Sequence, residues 1–96
     1  MSEWHRAVLC VTMYYGDPES RSRIPEVYPR HRAYLDEFAR GAEIWMIGAF
    51  LTPGDVASMA IFRSREAAER FIRSDPFVIE GLVARTELRD WDPLTF

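Results

Sequence analysis

Ninety-six residues, 48% of them hydrophobic, suffice for one domain around a single core and are too few for two. A net charge of −3 gives no electrostatic pull toward nucleic acid or acidic membranes, and no stretch approaches the roughly 20 apolar residues of a membrane span. The single cysteine, Cys10, excludes an internal disulfide; the opening Met1-Ser2-Glu3-Trp4-His5-Arg6 lacks a signal-peptide pattern, so the expectation is a reduced, cytoplasmic protein.

In chain order, Ala7 to Tyr15 is an almost unbroken apolar run ended by Gly16-Asp17-Pro18, and it reads as a strand and a turn. Residues 17–25 carry Pro, Ser, Arg and Asp without periodicity and read as a loop. An amphipathic helix follows. Tyr34, Leu35, Phe38 and Ala42 form its apolar stripe, and Arg30, Arg32, Asp36, Glu37 and Arg40 its solvated side. Pro29 suits the first helical position, which places His31 in the first turn, and Gly41 suits the C-terminal cap. Glu43 to Leu51 reads as a second strand, turned by Thr52-Pro53-Gly54-Asp55 into a third at Val56 to Arg63. Ser64 caps a helix reaching Arg73, with Ala67, Ala68, Phe71 and Ile72 on its apolar face. Asp75-Pro76 starts a short helical turn ending at Gly81, and Leu82 to Trp91 reads as a last, more charged strand.

The order βαββαβ predicts an α+β, ferredoxin-like domain: a four-stranded antiparallel sheet with both helices on one face. The first and third strands are then central. The last is an edge, protected by Arg85, Glu87 and Arg89. An antiparallel sheet with one solvated face alternates apolar and polar residues. Here Val8/Cys10/Thr12/Tyr14 and Leu9/Val11/Met13/Tyr15 are both largely apolar, as are Ile44/Met46/Phe50 and Trp45/Ile47/Leu51. Two helices cover one face only, so the other is expected to meet a second copy in a symmetric face-to-face homodimer.

Two residues stand out for chemistry. His31 precedes Leu35 by four and Phe38 by seven, so it shares the sheltered face, where it must find a polar partner or lose its charge. Asp75 before Pro76 is a helix N-cap, its carboxylate accepting from the amide of Phe77 or Val78; a capped carboxylate is also an oriented one. Spacing alone does not bring the two together. His5 reads as solvated, and Cys10 as an inert core thiol. Trp4, Trp45 and Trp91 read as core or dimer packing, and Arg21-Ser22-Arg23 as a solvated loop. Two scattered histidines and one cysteine make no metal-ligand spacing, and no glycine-rich phosphate loop is present, so neither a metal nor a cofactor is expected.

His31-Arg32-Ala33-Tyr34-Leu35, Gly41, Gly48, Ser64-Arg65-Glu66-Ala67-Ala68 and Ser74-Asp75-Pro76-Phe77-Val78 followed by Gly81-Leu82 together resemble the YCII-related family across nearly the whole chain. The resemblance implies a ferredoxin-like fold, dimerisation as an α+β barrel, and an active site centred on His31 and Asp75. Where relatives often carry arginine three residues before the histidine, this chain has Tyr28, which offers a hydroxyl or an aromatic surface instead. Where Gly-Pro is common after the second strand, Gly48 is followed by Ala49. Tyr28, Gly48 and Phe77 are the candidate substrate contacts.

The expectation is a small enzyme in which His31 is general acid/base and Asp75 orients its imidazole. Elimination, isomerisation or hydrolysis of a small organic molecule fits better than hydride transfer. Dehydrochlorination of a hydroxylated aromatic is an activity the resemblance brings with it. The alternative is a non-catalytic homodimer that binds a small ligand or supports a partner protein. RNA binding shares the βαββαβ order, but the third strand, Val56-Ala57-Ser58-Met59-Ala60-Ile61-Phe62, lacks basic and stacking residues in an acidic chain, which excludes it.

Overall fold

The computed structural model describes residues 8–52 and 54–96. Trp4, His5, the Ala7 start of the first strand and Pro53 of the turn lie outside the described residues. Strand β1 runs Leu9–Gly16, β2 Ile44–Ala49, β3 Val56–Phe62 and β4 Val83–Trp91; helix α1 spans Ile24–Ala39, α2 Arg65–Ser74 and α3 Pro76–Ile79. All strand pairs are antiparallel in the order β2-β3-β1-β4, so β1 and β3 are central and β4 is an edge. This is the expected ferredoxin-like α+β plan.

The period of two along the strands divides the sheet. Cys10, Thr12 and Tyr14 pair with Phe62, Ala60 and Ser58 and face the helices. Cys10, Ala60 and Phe62 pack there on Ala67, Ala68 and Phe71; the two alanines let α2 lie close to the sheet, and the Phe71 ring fills the core beside them. Ser64 starts α2 as its sequence suggests, its hydroxyl accepting from the Ala67 amide at 3.1 Å. On the opposite side Val11 pairs with Ile61 and Met13 with Met59, with Met46 of β2 half-exposed beside them. Cys10 is fully buried, and burial pushes its thiol pKa up, as an unreactive core cysteine requires.

Three expectations are corrected. Residues 17–25 are not a loop: Asp17 accepts from the Glu19 amide at 3.1 Å and starts a 3₁₀ helix, Pro18–Arg23, that leads directly into α1. A 3₁₀ segment held by its cap needs no apolar stripe, so periodicity did not reveal it. Pro25, not Pro29, occupies the first turn of α1, and Pro29 lies inside the helix. Pro29 has no N–H for the carbonyl four residues earlier, so α1 lacks one internal bond there. His31 is accordingly the eighth residue of the helix, beyond its first turn. Gly41 is not the left-handed cap either. Three consecutive short-range bonds (Arg40 to Glu37, Gly41 to Phe38, Ala42 to Ala39) carry the turn one residue further, and Ala42 takes the positive φ of 58°.

Candidate active site

Helix α1 is anchored at its two ends in different ways. Near its C-terminus, Phe38 meets Phe71 edge-on at 5.1 Å and Phe62 at 6.1 Å, and Tyr34 packs 5.0 Å from Phe71, joining the helix to the core. Toward its N-terminus it runs alongside α3 and the 3₁₀ helix. Arg23 and Arg30 both reach Glu80, at the end of α3, at 3.1 Å. The Arg30 guanidinium, then that of Arg23, holds the Glu80 carboxyl below the usual range. Between this part of α1 and the strands lies a cleft of about 1120 Å³, whose wall includes Tyr28, His31, Leu35, Trp45, Gly48 and Phe77. It is large enough for a substituted aromatic ring.

His31 and Asp75 are brought together. The chain leaves α2 at Ser74, and Asp75 turns extended (φ −69°, ψ 123°) to cap α3, with Pro76 at its start. Asp75 is fully buried and accepts three hydrogen bonds. Oδ1 accepts from the Phe77 amide at 3.0 Å and meets His31 Nδ1 at 2.7 Å; Oδ2 accepts from the Tyr14 hydroxyl at 2.6 Å. A carboxylate has no proton to give, so Nδ1 of a neutral His31 must carry the hydrogen, which leaves the Nε2 lone pair free. His31 is 7% exposed, and its imidazole stacks on the Phe77 ring at 4.1 Å, with planes 15° apart. Tyr28 lies tilted beside both, 6.0 Å from His31 and 6.4 Å from Phe77. A histidine held at Nδ1 by a buried carboxylate is chemically able to exchange a proton at its other nitrogen.

Of the candidates, Tyr28, His31, Gly48 and Phe77 line the cleft, and Asp75 stands behind His31. A Cβ at Gly48 meets nothing within 4 Å, so this glycine leaves open space rather than permitting a close contact. Trp45 lines the cleft, whereas Trp91 ends β4 away from it. Arg21 belongs to the cleft wall and Arg23 to the Glu80 clamp, so the segment read as a solvated loop contributes to both. Arg32 also lines the cleft and is tied to Asp36 at 3.0 Å. Sequence reasoning missed Tyr14. The available signal was a phenol on the helix-facing side of a central strand, since a buried tyrosine hydroxyl requires a partner. Burial, then the charge of Asp75, pushes the Tyr14 pKa far up from its ordinary value of 10, so the phenol remains the donor in that bond.

No curated protein matches the chain. Among solved structures it is similar to 5-chloro-2-hydroxyhydroquinone dehydrochlorinase (TftG) from Burkholderia phenoliruptrix AC1100, in complex with 2,5-dihydroxybenzoquinone. That similarity has 27% identity and a TM-score of 0.72 over 88% of this chain and 93% of that one. Two further structures share the fold. They are a conserved protein from Methanosarcina mazei Go1 (18% identity, TM-score 0.57, 91% and 93% covered) and PA3566 from Pseudomonas aeruginosa (13%, 0.58, 98% and 100%). Residues 8–92, which carry the whole sheet and the His31–Asp75 pair, match the YCII-related domain, and the chain belongs to that family.

Proposed function

We propose that the protein is a small homodimeric enzyme that moves protons on a small hydroxylated aromatic substrate, with His31 as the general acid/base and Asp75 as its orienting partner. The observation that carries this reading is the 2.7 Å contact between His31 Nδ1 and the buried Asp75, in the wall of a cleft sized for a ring. The similarity to a dehydrochlorinase of a hydroxyhydroquinone supports the choice of substrate class and of elimination as the reaction. In such a step Nε2 takes a proton from the substrate and chloride leaves with its bonding pair, for net loss of HCl. The imidazolium that forms is stabilised by Asp75. Tyr28 and Phe77 supply aromatic surfaces beside the reacting nitrogen, and Gly48 leaves room for the ring.

The test is chloride release and absorbance change from a panel of chlorinated hydroxyhydroquinones, with binding followed in parallel by thermal shift. The wild type is expected to release chloride, and His31→Ala to lose on the order of 10²–10⁴-fold in rate. Binding without turnover by the wild type would replace this reading with a non-catalytic ligand-binding homodimer. Equal turnover in His31→Ala would remove His31 from the chemistry.

A further inference from the structure

We propose that Tyr14 is a positioning residue for the acid-base pair: its hydroxyl anchors Asp75 Oδ2, so that Oδ1 holds the Nδ1–H of His31 and Nε2 is directed to the cleft. This role rests on the reading of His31 as the acid/base group and extends it to a third residue, from a third element of the fold.

The carboxylate of Asp75 is where three elements meet. His31 comes from α1, Asp75 from the junction of α2 and α3, and Tyr14 from β1. Rotation of an aspartate about its terminal torsion is soft and nearly two-fold. The Phe77 amide and His31 both engage Oδ1, and among the described residues Tyr14 is the donor that reaches the second oxygen of this fully buried carboxylate. The tyrosine is itself rigidly placed. Its strand is central, and Tyr14 pairs with Ser58 on β3 and Thr86 on β4. The chain of short bonds Tyr14–Asp75–His31 therefore ties the imidazole to the sheet across the end of α1 that runs alongside α3 rather than the strands.

The bond also has an electronic consequence. A phenol donating at 2.6 Å withdraws part of the carboxylate's charge. The stronger Tyr14 donates, the less negative charge remains for the Nδ1–H of His31. Tyr14 thus sets both the direction and the strength of the bond that holds the imidazole. A tyrosine that merely filled space beside Asp75 would do neither.

The readout is the ¹⁵N chemical shift of His31 Nδ1 in the full-length protein, detected through the non-exchanging ring protons and so independent of any substrate. Tyr14→Phe is expected to move Nδ1 downfield, because Asp75 then accepts more strongly from it. Replacing Tyr14 site-specifically by 3-fluorotyrosine, a stronger donor of nearly the same size, is expected to move it upfield. Both displacements should shrink to near nothing in the Asp75→Asn background, because the effect passes through that carboxylate. An Nδ1 shift that ignores both replacements, or responds equally with Asp75→Asn, would overturn the proposal. If Tyr14→Phe fails to fold, the fluorotyrosine protein carries the same test. Absence of turnover in the wild type would count against the enzymatic reading alone, since the NMR signature stands or falls by itself.

Discussion

Asp75 does two jobs with one carboxylate, and substitutions separate them. Asn caps a helix about as well as Asp and still accepts from the Phe77 amide, so Asp75→Asn is expected to stay within about 1 kcal/mol of wild type in urea unfolding. Its neutral amide cannot balance an imidazolium, so turnover should fall sharply while the fold remains. Asp75→Ala removes the cap and leaves the buried Tyr14 hydroxyl and His31 Nδ1 without an acceptor, which should cost roughly 2–5 kcal/mol. Tyr14 gives a pH signature of its own. Burial and then the Asp75 charge raise its pKa in the folded state above the ordinary value of 10. Past pH 10 the unfolded chain therefore releases a proton that the native state keeps, and stability must fall as pH rises. Tyr14→Phe should show a shallower fall between pH 10 and 11 in urea unfolding. A residual slope belongs to Tyr34, whose pKa burial also raises, and Cys10 adds a slope that begins near pH 9. Equal slopes in wild type and Tyr14→Phe would show that the phenol is not held protonated.

At the scale of elements, the ends of α1 determine where the site lies. The helix begins at Ile24, directly after the 3₁₀ helix that the Asp17 cap starts, and the pair Arg23/Arg30 ties its first half to Glu80 at the end of α3. This clamp, with Phe38 and Tyr34 fixed in the core at the other end, keeps the cleft open above β2 and β3 while His31 stays against Phe77. The helix leaves its last turn through Ala42 at φ 58°, a conformation that costs an L-residue about 1–2 kcal/mol and glycine very little. Ala42→Gly is therefore expected to stabilise the protein by about 1 kcal/mol, read as a higher urea midpoint at an unchanged m-value. Ala42 is exposed, so no lost packing offsets that gain. A lower midpoint would mean that the alanine is not strained there.

For the whole molecule, the sheet face away from the helices carries the half-buried Val11, Met13 and Met59 across the two central strands, beside Ile61, which is already buried in the single chain. In the homodimer proposed above, this face meets its copy and buries more than roughly 1,000 Å² in total. Met13→Asp would place a charge at its centre, and the expected product is an aggregated or unfolded chain rather than a well-behaved monomer. Sedimentation of the wild type as a monomer at micromolar concentration would remove the dimer from the proposal. No helix among the described residues is long and apolar enough to cross a membrane.

What could be read directly from the residues depended on interactions a few positions apart. The Ser64 and Asp75 caps act on amides two or three residues on, and the strand alternation that assigns Cys10 to one face and Val11 to the other repeats every two residues. Pro29 read as the first helical position because residues 17–25 read as a loop; the 3₁₀ helix there instead leads straight into α1 and puts Pro25 in its first turn. The His31–Asp75 pair is separated by 44 residues, and family resemblance rather than spacing suggested it. Tyr14, 61 residues from Asp75, is legible on its strand as a phenol that needs a partner, but not as the partner of that carboxylate. Its bond exists only because β1, α1 and the α2–α3 junction converge on one buried carboxylate, whose desolvation demands a donor at each oxygen. The chain's local chemistry thus determined the elements and their faces, whereas the partners of the buried charge and the cleft beside it were decided by packing.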